Sequence, residues 1–220
     1  LSHFLFTSFD ILSLPEFFNL KHFSFCRCST GSTIIHADLF MKLGKLDSLT
    51  IKESRNFFTK IPSTAFDVFE NLTHLVLPCN DLTDINPEWF IRMPNLKTLN
   101  LSCNEINRLP KEMFSHLTNL ESLDLSLNQF KQLDDCVFTQ LENLEKLDIS
   151  SNYKLKPQVF DGLDKLIELN IKYMNRDFQL NVDLFTLLPS LKNVTLDYRF
   201  ENMKRQLSEK YGSEIKFKFE

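Results

Sequence analysis

Glycine is scarce in this chain: 220 residues hold 4 of them, against 22 phenylalanines. Average usage would give roughly fifteen glycines at this length, at ~7%. Gly31, Gly44, Gly162 and Gly212 lie far apart. A GxGxxG dinucleotide fingerprint and a Walker loop are therefore excluded, because both need clustered glycines for close backbone approach to phosphate. Long apolar runs are missing too, and no stretch of about eighteen apolar residues reads as a membrane span. Charge of one sign is also absent. The 25 Lys and Arg and 29 Asp and Glu are interspersed and sum to -4, which argues against nucleic acid or anionic lipid as a general partner. Five histidines, His3, His22, His36, His74 and His116, form neither HExxH nor an i,i+4 pair, so no zinc helix is expected. No serine sits in a nucleophile elbow. The chain reads as a non-enzyme with no cofactor and no metal.

A repeat is what the sequence does contain. Leu96 to Asn119 (LKTLNLSCNEINRLPKEMFSHLTN) aligns with Leu120 to Asn143 (LESLDLSLNQFKQLDDCVFTQLEN). Apolar residues recur at relative positions 1, 4, 6, 11, 14, 19 and 22, with Asn at 9. Units start at Leu1, Leu20, Leu46, Leu72, Leu96, Leu120, Leu144, Leu166 and Leu191, and Glu214 to Phe219 restores the strand pattern once more. This pattern, LxxLxLxxNxLxxLPxxxFxxLxx, resembles the leucine-rich repeat in its typical animal form, over nearly the whole chain. The resemblance implies an α/β repeat solenoid shaped as a horseshoe. About nine parallel strands would line its concave face with a terminal strand added, and loops with short 3₁₀ or helical turns would form the convex face.

The residues give the physical reason. Leu99-Asn100-Leu101 and Leu123-Asp124-Leu125 alternate with the period of a half-buried strand. A unit with one apolar face is stable only when stacked on its neighbours. Asn80, Asn104, Asn128 and Asn152 fall at the bend after the strand, where a buried amide can satisfy the backbone of adjacent coils. The family resemblance implies an asparagine ladder there. Phe40, Phe66, Phe90, Phe114, Phe138, Phe160 and Phe185 each precede the next unit's Leu by six residues and are expected to stack as an aromatic column under the convex side.

Residues 1–199 are assigned to the repeats and 200–220 to a cysteine-free C-terminal cap. In that cap Met203, Leu207 and Tyr211 predict a short helix stopped by Gly212, and Ile215, Phe217 and Phe219 an edge strand. Lys216 and Lys218 between them would discourage edge pairing. At the other end, LSHFLFTSFDILSLPEFFNL lacks a basic n-region and a cleavage site, so the chain is read as a mature or excised piece. Either Phe4, Phe6 and Phe9 form a makeshift cap, or further repeats or a cap precede Leu1.

Five cysteines leave at least one free thiol. Cys79 and Cys103 share position 8 of adjacent units, within the Cα separation a disulfide needs, although neighbouring parallel strands rarely give the right Cβ geometry. Asn71-Leu72-Thr73 and Asn193-Val194-Thr195 are glycosylation sequons. Against Asn71, Asn95, Asn119 and Asn143 occupy the same position without a sequon. The sequons and the typical-type repeat point to an extracellular or secreted chain, while the missing cysteine caps suit a cytoplasmic one equally well.

Outward positions 2, 3, 5, 7 and 8 would form the binding surface. In the middle of the chain they are small and polar, among them Thr98, Asn100, Ser102, Ser122, Ser126, Ser150 and Ser151. Asp124 and Asp148 stack there in neighbouring strands, able to share a cation or simply to form a solvated face. Towards the C-terminus the residues grow: Lys172, Tyr173, Tyr198 and, beside them, Tyr153. Tyrosine buries area at low entropic cost. The sequence thus predicts a protein-binding module whose partner-binding residues are Tyr153, Tyr173, Tyr198, Lys172, Asp148 and Asp124. Resemblance to Toll-type ectodomains and secreted arthropod repeat proteins implies recognition in innate immunity, adhesion or receptor signalling, with a protein ligand or co-receptor. The alternatives are an intracellular scaffold or adaptor, and a self-associating homodimer.

Overall fold

The structure is a computed structural model. It describes residues 20–26, 38–41, 43–54, 58, 62–130, 133–152, 157–174, 176 and 178–220. The first unit, with Phe4, Phe6 and Phe9, lies outside the described residues, as do Cys28 and Tyr153.

Among the described residues, nine strands form one parallel sheet in chain order. They are β1 (His22–Cys26), β2 (Ser48–Lys52), β3 (His74–Val76), β4 (Thr98–Asn100), β5 (Ser122–Asp124), β6 (Lys146–Asp148), β7 (Glu168–Asn170), β8 (Asn193–Leu196) and β9 (Lys216–Phe219). Register is set by the leucine at position 4, because a one-residue slip would turn it to water. Leu49, Leu75, Leu99, Leu123, Leu147, Leu169 and Val194 pair in succession across the sheet, each no more than 2% exposed.

The return side of each coil is irregular, with short 3₁₀ turns such as Ser63–Phe66, Pro87–Phe90 and Pro157–Phe160. Their final phenylalanines, together with Phe40, Phe114, Phe138 and Phe185, are no more than 2% exposed. Rings meet from coil to coil at 5.5 Å for Phe40 and Phe66 and 5.8 Å for Phe114 and Phe138. Between them the stacking partner of Phe66 is Trp89, at 4.8 Å, so the column shifts sideways by one residue there.

At position 9, buried asparagines join the coils. The Asn104 Oδ1 accepts from the Asn80 and Leu82 N–H groups at 2.9 and 3.1 Å. Its Nδ2 donates to the carbonyls of Leu77 in the preceding coil and Leu101 in its own, at 3.0 and 2.9 Å. Asn128 and Asn152 repeat the pattern, and Asn80 donates to Ile51 O while accepting from Ser54 N–H. Ser54 stands at the ladder position of its own coil and is fully buried.

Beyond β8 a 3₁₀ turn, Tyr198–Met203, runs into helix α2, which follows the four-residue α1 (Asp38–Met41) in the chain and spans Lys204–Tyr211. Leu207 and Tyr211 are buried, and the Tyr211 hydroxyl donates to Val182 O at 2.5 Å. Gly212, at φ 57°, ends the helix, and β9 adds in parallel to β8.

Two substitutions test this framework. Phe114→Ala should lower unfolding free energy by about 3–5 kcal/mol, the usual cost of emptying an aromatic core site. Asn104→Asp keeps the acceptor oxygen but removes both donors, and should cost at least ~2 kcal/mol by stranding the Leu77 and Leu101 carbonyls. Denaturant unfolding measures both, and an Asn104→Asp chain as stable as the parent would remove the amide from its structural role.

Candidate functional site: the concave face and its left-handed edge

The sheet presents positions 3, 5 and 7 to the concave side. Asp124 and Asp148 are register partners in the middle of it. Each carboxylate closes a small bracket. Asp124 Oδ1 accepts from the backbone N–H and hydroxyl of Ser126 at 3.0 and 2.7 Å, and Asp148 Oδ1 does the same with Ser150 at 3.0 and 2.6 Å. Their other oxygens accept from the Asn100 and Asn170 amides at 2.9 and 2.7 Å. A row Asn100, Asp124, Asp148, Asn170 results, with neutral donors on both flanks and, among the described residues, no cation paired to either carboxylate.

This arrangement corrects the expected surface. Ser126 and Ser150 are not outward binding residues: they are 9% and 5% exposed, folded back onto the aspartates. Asp124 and Asp148 do lie together on the concave face, half-buried. Among the described residues, no group of three or more His, Cys, Asp and Glu side chains could hold a metal ion. His22 and His74 are separated by Ser48 across the sheet.

Position 8, at the edge where the strand ends, carries a feature invisible in the repeat pattern. Glu53, Cys79, Cys103, Leu127, Ser151 and Tyr173 all adopt left-handed backbone, with φ between 50° and 58°. For a non-glycine residue this costs about 1–2 kcal/mol. The turn it makes lets the following residue, at position 9, point inward to the ladder. The side chain at position 8 is thrown outward instead. Leu127 is 56% and Tyr173 55% exposed as a result. Tyr198 continues the column at 65% exposure, on a 3₁₀ turn capped by Asp197, whose Oδ1 accepts from Arg199 N–H at 3.1 Å. Sequence reasoning missed Leu127; its shared position with Cys103 and Tyr173 is the signal that could have found it.

The remaining expected residues are placed as follows. Lys172 is engaged within the chain: its Nζ is 2.7 Å from Glu220 Oε2 and 5.3 Å from the Tyr173 ring centroid. The Glu220 carboxylate and a hydrogen bond to it hold the Lys172 pKa above its ordinary value. Lys172 and Lys218 together press the Glu220 carboxyl down to about 2. Glu220, 48 residues away in sequence, could not be inferred as the partner. Cys79 and Cys103 are free thiols, so the disulfide considered for them is not formed. Burial, a hydrogen bond to Cys103, and the nearby Glu53 and Asp81 carboxylates push the Cys79 thiol up to about 11. Asn71 is exposed at the opposite edge, and Asn193 is exposed on β8.

Comparison with known proteins accounts for this geometry. The Leucine rich repeat family matches residues 45–102, 70–130, 94–153 and 118–176, more than half of the chain. The chain belongs to the leucine-rich repeat family, and its nine-stranded open sheet is the solenoid horseshoe of that family. Among solved structures it is similar to the crystal structure of the TLR13-ssRNA13 complex, with 26% identity and a TM-score of 0.70 over 86% of this chain and 27% of that one. It is also similar to the glycosylated form of the Toll-Spatzle complex from Drosophila, with 28% identity and a TM-score of 0.66 over 79% of this chain and 23% of that one. A third likeness, to a leucine-rich repeat protein of Leptospira interrogans, has 26% identity and a TM-score of 0.62, over 73% and 40% of the two chains. The chain therefore spans about a quarter of the Toll-type chains it matches. A search of curated protein sequences finds no match. No helix among the described residues is long and apolar enough to cross a membrane.

The Lys172–Glu220 contact makes a pH prediction. A carboxyl lowered in the folded state stabilises the fold above its unfolded pKa and loses that contribution as pH falls through the folded one. The stability gap between parent and Glu220→Gln should be full above about pH 4.5 and close towards about pH 2. Thermal melts across that range check it, and a gap independent of pH would remove the ion pair as its cause.

Proposed function

We propose that this chain is a non-enzymatic protein-binding module that engages a protein ligand or co-receptor along the concave face and its left-handed edge. The observation that carries the reading is the exposed position-8 column. Leu127, Tyr173 and Tyr198 stand outward from the ends of their strands, large apolar or aromatic side chains left exposed where a partner could bury them. Asp124 and Asp148 lie beside them as pre-oriented acceptors for a donor on the partner. Two carboxylates with no cation paired to them among the described residues, on a chain of net charge -4, favour a protein over a polyanion such as nucleic acid. Tyr153 and Lys172 belong to the same proposed surface, Lys172 also holding Tyr173 and Glu220 in place. We assign residues 1–199 to the repeats and 200–220 to the cap.

The likeness to Toll-type structures supports placing the module in an extracellular receptor or secreted protein of innate immunity, adhesion or signalling, with Asn71 as a glycan acceptor; a glycan on the second sequon, Asn193 on β8, would compete with the partner for the concave face. A second reading, an intracellular scaffold or adaptor, draws on the free thiols of Cys79, Cys103 and Cys136, which suit a reducing compartment. The intact mass of the native-source protein separates the two: glycan mass supports the first, an unmodified chain with reduced thiols the second. Sedimentation at increasing concentration tests self-association.

The binding surface has its own test. A partner isolated on the parent chain should bind the Leu127→Ser, Tyr173→Ala, Tyr198→Ala triple variant at least ~100-fold more weakly, since each buried anchor contributes about 2 kcal/mol or more. Lys97→Ala on the opposite edge should bind as the parent does. Equal affinity of triple variant and parent, with unchanged melting temperature, would sink the assignment.

A further inference from the structure

At the edge opposite the left-handed column, a second row of asparagines precedes each repeat leucine. Asn95, Asn119 and Asn143 each donate the side-chain Nδ2 to a carbonyl of the preceding coil, Glu70 O at 2.9 Å, Pro94 O at 2.9 Å and Thr118 O at 2.8 Å. They form a peripheral ladder that explains why asparagine recurs there. Asn71 holds the same repeat position and is exposed, yet its amide makes no such bond among the described residues. The one asparagine of the row released from the ladder is the one followed by a hydroxyl at +2. Thr73 stands where the later coils carry Lys97, Glu121 and Glu145. The recurrence that counted against a glycan on Asn71 at the level of sequence thus becomes the contrast that singles it out.

The surroundings fit the same chemistry. Asn71 and Thr73 open onto a polar groove of about 640 Å³ that continues past Asn95, Lys97, Asn119 and Glu121. Amides and alternating charges without a large exposed apolar side chain suit a hydrated saccharide. In the fold Leu72 is fully buried and the Thr73 hydroxyl donates to Asp47 O at 2.8 Å, so the sequon is accessible to a transferase only before this coil closes.

We propose that Asn71 is an N-glycosylation site whose saccharide lies along this groove and leaves the left-handed edge free for the partner. In the transfer, the Asn71 Nδ2 attacks the anomeric carbon of a lipid-linked diphospho-oligosaccharide. The C–N bond forms, the C–O bond to the diphosphate breaks, Nδ2 loses one proton and the lipid diphosphate leaves. The inference rests on the extracellular reading above, because the transfer needs the secretory pathway.

The test is secretion of the chain from a glycosylating eukaryotic cell, followed by glycosidase release in heavy-oxygen water and peptide mass spectrometry. Position 71 should be recovered as heavy-oxygen aspartate in the parent and in Thr73→Ser. Asn71→Gln and Thr73→Ala should lose that glycan, and Asn193→Gln should retain it. Should Asn71→Gln fail to fold, Thr73→Ala and the site occupancy of the parent still decide the question. An unmodified Asn71 in secreted parent chain overturns the proposal and leaves the binding reading standing. A glycan in that host but a bare Asn71 in native-source protein overturns instead the extracellular reading on which it rests, and the site with it.

Discussion

Everything in this molecule depends on disposing of backbone hydrogen-bonding groups at one tight bend. Each coil leaves the sheet after a strand of only a few residues and must turn inside the protein, where an unsatisfied N–H or carbonyl costs about 1–3 kcal/mol. One amide side chain per coil, with two donors and one acceptor oxygen, meets that demand across two coils at once. Asn104 serves Leu77 in the coil before, Leu101 in its own and the Asn80 backbone, all within 2.9–3.0 Å. Where the ladder thins at the ends, other devices replace it. Ser54 turns its hydroxyl onto Lys52 O, and Met174 fills the same place as a buried apolar side chain.

The ladder has a counterpart in the strain beside it. Pointing position 9 inward puts position 8 into left-handed backbone in six successive coils, Glu53 through Tyr173. The dense core beneath, with Leu99, Leu101 and Phe114 fully buried, and the amide bonds offset that strain. On the concave side the aspartate brackets work in the same way, stapling each strand end to its own coil and to a neighbour, Asp124 to the coil before through Asn100 and Asp148 to the coil after through Asn170. The carboxylates of the concave face thus also hold the chain that presents them.

The parts of this design that recur in chemistry were legible in the sequence. Leucine at positions 4 and 6, asparagine at 9 and phenylalanine near the end of each unit are demanded by burial or by hydrogen bonding, so the same residue types return coil after coil. The left-handed edge was not legible, because its backbone demand leaves no residue type constant: Cys103, Leu127, Ser151 and Tyr173 share only a dihedral angle. The engagement of Lys172 by Glu220 was hidden for another reason, since it joins a repeat to the terminal strand across a long sequence gap. Ser126 and Ser150 looked like open surface because an alternation pattern records which way a residue faces, and their hydroxyls fold back onto a neighbour. Asn95, Asn119 and Asn143 were visible as a recurrence whose purpose only the carbonyl of the coil before could supply.

The dihedral at position 8 also limits what this edge of the sheet can contain. Left-handed backbone is a genuine outlier for β-branched side chains. The six residues found there, Glu53, Cys79, Cys103, Leu127, Ser151 and Tyr173, include no valine, isoleucine or threonine. The edge is written in a restricted alphabet of unbranched-at-Cβ residues, each occupying one slot per coil. Within that alphabet a slot can change charge, size or polarity without touching the packing beneath it.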